Sequence, residues 1–149
     1  MAESDELLRL DNQVCFLIYA AANLVTRRYR PALDELGLSY PQYLVMLVLW
    51  EEAPSSVGHL GKRLFLDSGT LTPLLKRMER AELITRERDP ADERRVLINL
   101  TEAGRALRAR AHIVPETLAR NLHIDRDDAR KLRDMLGHVV KTLAEGAPP

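Results

Sequence analysis

The chain has one cysteine, so no intramolecular disulfide can brace it, and it has no C-x-x-C pair of the kind thiol–disulfide enzymes use. Its four histidines, His59, His112, His123 and His138, show no i, i+3 or i+4 pairing, and the cysteine does not cluster with them in sequence. A metal sensor would need such a cluster, so solvated or capping histidines are the simpler reading. Neither charge is in excess: Lys+Arg and Asp+Glu are both 22, so global charge does not announce nucleic acid. No apolar run approaches membrane-spanning length. The opening MAESDELLRL is acidic and lacks the apolar segment of a signal peptide. There is no internal repeat and no low-complexity tract. These absences predict a chain of the reducing cytoplasm, without metal, cofactor or membrane partner.

What is present predicts one domain. A length of 149 residues suffices for a sizeable core, and 46% apolar with 30% charged residues fits a globular helical protein. Charge is unevenly placed. Residues 31–56 hold no Lys or Arg, whereas residues 57–105 hold ten basic and eight acidic side chains. That bias is weak, so the case for DNA rests on pattern.

The pattern lies in VGHLGKRLFLDSGTLTPLLKRMERAELITRERDPADERRVLINLTEAG, residues 57–104. Ser55 and Ser56 can cap a first short helix whose Val57, Leu60 and Leu64 form a buried stripe. Phe65-Leu66 forms a turn, and Asp67 and Ser68 offer oxygens to the free N–H groups of a second helix. There Leu71, Leu74, Leu75 and Met78 follow the i, i+3, i+4, i+7 rule. The opposite face shows Ser68, Thr70, Thr72, Pro73, Lys76 and Arg77, short hydroxyls and cations suited to a helix end in a major groove. Ile84 to Arg88 then reads as a strand with Arg86 and Arg88 on one face, Asp89 to Asp92 as a turn, and Val96, Ile98 and Leu100 as a half-buried return strand. Arg94 and Arg95 sit at the base of the tip, where a cation can enter a minor groove, and Asp92 is spaced to hold the Arg94 guanidinium. Two helices, a turn and a two-stranded wing make a winged helix-turn-helix.

The flanks read as helices. Asp5 to about Arg30 carries two apolar stripes, Leu10, Val14, Leu17, Ala21, Leu24 and Leu8, Cys15, Ala22, Val25, where a surface helix needs one. A kink or break is expected at Pro31 and a stop at Gly37. Ser39 and Pro41 open the next helix, with Tyr43, Leu44, Leu47 and Val48 inward and Trp50 closing the segment. Thr101 can cap a long helix running to Leu122, lined by Leu107, Ala111, Val114, Leu118 and Leu122 and kinked at Pro115. Asp125 caps a last helix whose Leu132, Met135, Leu136, Val139, Val140 and Leu143 are too many apolar groups for an exposed tail. The tail after Ala144 is expected to fray. The fold class is thus mostly α: a DNA-binding unit at about 40–100 with a small β-wing, flanked by a helical dimerisation unit at about 5–36 and 101–144.

The run DSGTLTPLLKRMERAELITRERDPADERRVLINLTEAG resembles the core of the MarR family of dimeric transcriptional regulators, through T-x-T-x-L-L-x-R-M-E, the D-x-R wing and the closing L-T-x-x-G. The resemblance covers about residues 10–143. It implies a homodimer on an inverted-repeat site in double-stranded DNA. One departure is Glu82, where the family usually has Gly; a left-handed cap there costs a non-Gly residue roughly 1 kcal/mol.

Cys15, in NQVCFLIYAAA, has two readings. A free cysteine is commonly a small buried hydrophobe. A reactive one needs support for its thiolate, yet no Lys, Arg or His lies within a helical turn, so an activator must come from elsewhere in the fold or from a partner. DNQVCFLIYA, Tyr29-Arg30-Pro31, LSYPQYL and FLDSGTLTPLLKRME are similar to OhrR, the organic-hydroperoxide-sensing branch of that family. The resemblance implies that Cys15 is the redox sensor. It also implies that Tyr29 and Tyr40, contributed across the dimer, hydrogen-bond to it, with Tyr19 as a further match. It implies a one-cysteine member. A peroxide would take Cys15 to sulfenic acid, and with no second cysteine the next step uses an external thiol, a backbone nitrogen or more oxidant; a mixed disulfide with a small-molecule thiol is the expected reversible trap, and oxidation is expected to release DNA. Two alternatives differ in what they predict. A family member released by a small aromatic ligand needs no oxidation, and a thiol peroxidase would turn over, which the absence of a resolving cysteine disfavours.

Overall fold

The structure, a computed structural model, describes residues 2–146. The expected single helix from Asp5 to Arg30 is instead two. α1 (Ala2–Leu7) ends in a 3-10 turn at Leu10–Asn12, and α2 runs from Val14 to Leu36. The break has a side-chain cause. The Asn12 amide donates to the Glu6 carbonyl at 2.8 Å, and the Gln13 amide donates to the carbonyls of Leu7 and Arg9, so side chains satisfy the last carbonyls of α1 and end it. α2 passes Pro31 without interruption and stops as expected at Gly37, whose φ of 67° closes a Schellman motif with Leu38 N–H donating to the Leu33 carbonyl.

α3 (Tyr40–Glu52) begins with a full capping box, Ser39 and Gln42 each bonding the other's backbone N–H. It buries Tyr43, Val45, Met46, Val48 and Leu49; Leu47, expected inside, is exposed and Leu44 is half-buried. Trp50 anchors the end of α3 by donating to the Gly104 carbonyl at 2.9 Å. A short strand, β1 (Ser55–Ser56), precedes α4 (Val57–Leu64), which Ser56 caps through the His59 N–H. α5 (Ser68–Arg80), β2 (Ile84–Asp89) and β3 (Asp92–Leu100) complete the winged unit. The antiparallel sheet has the order β1-β3-β2, with Ser55 opposite Ile98 and Ile84 opposite Leu100. Glu82 takes the left-handed conformation, φ 59°, that its position requires.

The long helix expected from Thr101 to Leu122 is divided. α6 (Glu102–Leu107), capped by Thr101, leads through a 3-10 turn at Arg108–Arg110 into α7 (Ile113–Leu122). The break lies one turn before Pro115, not at it. Proline has no N–H for the Ala111 carbonyl and its ring crowds that group, so the helix restarts with Pro115 in its first turn. Asp125 caps α8 (Arg126–Glu145) by accepting from the Asp128 N–H at 2.8 Å. Of the tail expected to fray, residues 147–149 lie outside the described residues.

One core joins these elements. It takes Leu33 and Leu36 of α2, Met46 and Leu49 of α3, Leu60 of α4, Leu71, Leu75 and Met78 of α5, Ile84 and Ile98 of the sheet, and Val114 of α7. Each full burial contributes about 1.5–3 kcal/mol. The buried residues of α2 begin at Tyr29; its first fifteen residues hold no fully buried side chain, Val25 alone among them packing partly on the core, and α8 holds none.

Candidate DNA-reading surface and cysteine site

The buried stripe of α5 fixes its rotation and so selects the outward face. Asp67 accepts from the Thr70 N–H at 2.7 Å at the helix start. Ser68, Thr70, Pro73, Lys76 and Arg77 are exposed, and Thr72 is half-buried. These residues share the solvent side of α5, whose first turn after the Asp67 cap holds no acidic residue.

The wing is a hairpin turning at Pro90-Ala91, with Asp89 accepting from the Ala91 N–H at 2.9 Å. Asp92 holds Arg94 as its spacing predicts. One carboxylate oxygen accepts from the Arg94 backbone N–H at 3.1 Å and from Nε at 3.0 Å, and the other accepts from Nη2 at 3.3 Å. These bonds from Arg94 keep the Asp92 carboxyl below the usual carboxylate range. The Arg94 side chain is nonetheless 91% exposed, an oriented cation at the wing's edge. Arg95 lies 4.0 Å from Asp89, and Arg88 donates to the Glu93 carbonyl across the hairpin at 2.7 Å. Arg86 departs from the expected outward cation. It lies 3.6 Å from Glu79 in the last turn of α5, with its Nε buried and without a partner among the described residues, because β2 runs against the end of that helix.

Cys15 is exposed and is the second residue of α2, at the helix start and not mid-helix as expected. Val14, Leu17, Ile18 and Tyr19 around it are exposed too, Tyr19 by 68%. Tyr29 is 8% exposed and stacks on Tyr40, ring centroids 5.3 Å apart and planes at 16°. Tyr43, three residues beyond Tyr40 on the same side of α3, adds a third ring at 6.3 Å from Tyr40. The sequence shows it only as a core aromatic. Burial, with the neighbouring Tyr40 adding to it, pushes the Tyr29 hydroxyl up to about 12, and burial raises Tyr40 and Tyr43 as well. All three therefore stay protonated donors at physiological pH. A groove of about 500 Å³ opens beside the pair, lined by Arg30, Leu33, Asp34, Ser39, Tyr40 and Pro41.

Within one chain the sulfur and the rings do not meet. Cys15 and Tyr29 belong to one uninterrupted helix, and fourteen residues at the helical rise separate them by about 21 Å. The same interval brings them round to within about 40° of each other about the axis.

The family model for the transcriptional regulators SarA/Rot matches residues 27–110. The organic hydroperoxide resistance transcriptional regulator of Bacillus subtilis is 46% identical over 136 residues, spanning 91% of this chain and 92% of that protein. The HTH-type transcriptional regulator TtmR of Methylorubrum extorquens is 50% identical over 139 residues, spanning 93% of this chain and 71% of that protein. Among solved structures, reduced AbfR bound to DNA superposes with a TM-score of 0.77 at 36% identity, covering 96% of this chain and 99% of that one; AbfR is a protein of Staphylococcus epidermidis. These relatives are regulators of transcription and not enzymes.

Proposed function

Because the chain belongs to the MarR-type winged-helix regulators of transcription that the SarA/Rot model describes, we propose that it is a homodimeric repressor that releases its operator when an organic hydroperoxide oxidises Cys15. The observation that carries the reading is the single cysteine, exposed at one end of α2, with neutral tyrosine hydroxyls towards the other end and on nearly the same side. Two α2 helices crossing antiparallel about a two-fold axis midway between Cys15 and Tyr29 bring Cys15 of each copy towards Tyr29 and Tyr40 of the other. That midpoint is Ala22, in the small-residue run Ala20-Ala21-Ala22, which permits close approach. The unburied apolar groups of α8 and of the first half of α2 supply the area such an interface needs.

The chemistry then runs in two steps. The thiolate attacks one oxygen of R–O–O–H, the O–O bond breaks, and R–O leaves as the alcohol with a proton, so sulfur is oxidised to sulfenic acid. A small-molecule thiol attacks that sulfur and water leaves, giving a mixed disulfide. An added polar group in an interface helix disturbs packing beyond its size and alters the spacing of the two reading heads. The apolar side chains around Cys15 favour organic peroxides over hydrogen peroxide. The division of labour follows: residues about 5–36 and 101–144 dimerise, and about 40–100 read DNA through α5 and the wing. Such a repressor works in the cytoplasm.

The test joins mass to binding. A duplex selected by the reduced protein from a random-sequence pool is the probe. Cumene hydroperoxide with a small thiol is expected to modify Cys15 alone, and the modified fraction is expected to equal the fraction of DNA released. Protein fully modified at Cys15 that still holds the duplex sinks the reading.

The wing makes a separate prediction. Arg94→Ala removes one oriented cation per half-site, so it is expected to weaken binding and to flatten the dependence of log affinity on log salt by about 0.9 per lost phosphate contact. An unchanged slope and affinity would remove the wing from the interface.

A further inference from the structure

The turn that joins α4 to α5 carries a residue that the fold does not explain. α4 ends at Leu64, and Phe65 caps it in the left-handed conformation at φ 54°. The reversal is forced by close packing: a Cβ on Gly61 would lie 2.7 Å from the Leu66 carbonyl oxygen, and the Leu66 N–H donates to the Gly61 carbonyl at 3.0 Å. Glycine adopts such a conformation without strain and asparagine tolerates it, whereas an aromatic side chain does not favour it. Packing does not select phenylalanine either. Leu64 and Leu66 on either side are half-buried against the core, but the Phe65 ring is 64% exposed. A strained backbone and an apolar ring in water are both unfavourable, and neither is offset within the chain.

The position of the ring indicates what offsets them. Phe65 stands between the last turn of α4, with Lys62 and Arg63, and the Asp67-capped start of α5, with exposed Ser68 and Thr70. Arg63 is engaged by Glu51 and Glu52, whereas Lys62 lines a groove of about 280 Å³ together with Gly58, Leu66 and Ser68. Through Ser68 this groove is continuous with the outward face of α5, and the exposed Phe65 follows Lys62 by three residues at its edge. A phosphate and the apolar carbons of its deoxyribose have the matching chemistry. We propose that Phe65 belongs to the DNA-binding surface, packing on a deoxyribose at the edge of the major groove that α5 enters, with Lys62 facing the adjoining phosphate. This rests on the DNA-binding reading above. In a chain of zero net charge, such a contact adds affinity without counterion release.

The strain allows a clean test. Phe65→Gly and Phe65→Asn suit the left-handed backbone, and Phe65→Tyr keeps the ring. The Gly and Asn variants are expected to melt at or above the parent's temperature, yet to bind the parent-selected duplex roughly tenfold more weakly. Their salt slope is expected to stay the parent's, since no charge is lost, and the Tyr variant to bind as the parent does. Parent affinity in the Gly and Asn variants overturns the proposal. So does a lowered melting temperature, which would make the ring a packing element, or a flattened slope, which would place the lost contact on a cation. Changed sedimentation at parent DNA affinity would assign the ring to a protein partner instead. A parent protein that selects no duplex at all strikes the underlying reading and takes this proposal with it.

Discussion

The Cys15→Ser protein is expected to bind its selected duplex with the parent's affinity and to remain bound after peroxide treatment that clears the parent completely. Serine keeps the size and the helix start while removing the only sulfur that can become sulfenic acid without losing its place in the chain. Cys15 is exposed in the single chain, so the substitution opens no cavity there. If peroxide strips Cys15→Ser from DNA as it does the parent, the sensing mechanism is wrong whatever becomes of the fold.

The tyrosines grade the effect. Tyr29→Phe and Tyr40→Phe each delete one hydroxyl and leave the stacked rings. Each is expected to slow the loss of DNA binding by roughly tenfold, the scale of one hydrogen bond to a charged group, with the double variant slower than either. Because Tyr29 and Tyr40 are held protonated well above neutrality by burial, the pH profile of oxidation in the parent follows the sulfur and not these rings. Excess peroxide without a small thiol carries Cys15 to the sulfinic or sulfonic stage, from which added reductant does not restore DNA binding.

Charging α8 is expected to have an effect of similar size by a different route. Leu132, Met135, Leu136, Val139, Val140 and Leu143 are between 36% and 69% exposed on a 20-residue helix with no buried residue. Most of a helix's stability in a protein comes from packing its apolar face, so α8 needs a surface to lie on. The joint variant Leu136→Asp with Val140→Asp is expected to sediment as a monomer. It is also expected to lose operator affinity by about 10²–10⁴, because the second half-site is then no longer bound within one molecule. Arg130→Ala with Arg133→Ala, on the same helix but charged, is the control that should stay dimeric. A dimer in the Asp variant would show that another surface joins the copies.

Much of this was legible in the sequence because the signals were local. The stripe Leu71, Leu74, Leu75 and Met78 sets the rotation of α5, alternation in Val96, Ile98 and Leu100 sets the register of β3, and Asp92 reaches Arg94 two residues away. Glu82 was legible as a left-handed position only through the resemblance, which puts Gly there. The errors came where periodicity or distance hid the cause. Leu8, Leu10 and Val14 keep their apolar spacing across the break between α1 and α2, while Asn12 and Gln13, whose amides make it, look like ordinary polar residues. Arg86 was assigned outward by strand alternation alone, since its partner Glu79 belongs to another element. β1, two residues long, is set by Ile98 and Leu97 across the sheet and not by its own serines.

The continuity of α2 through Pro31 has a mechanical consequence. Its 23 residues form a rod about 34 Å long. One end carries the sulfur, and the other is packed into the core of the reading head by Leu33 and Leu36 and tied to the segment after the wing by Arg110, which donates to the Glu35 carbonyl at 2.8 Å. A rod of that length tilted by about 5° moves its far end by about 3 Å, close to the rise of one base pair. A break at Pro31 would have absorbed such a tilt as a joint. With the helix unbroken, a small displacement at Cys15 is geared up to the one length that matters for registration on DNA.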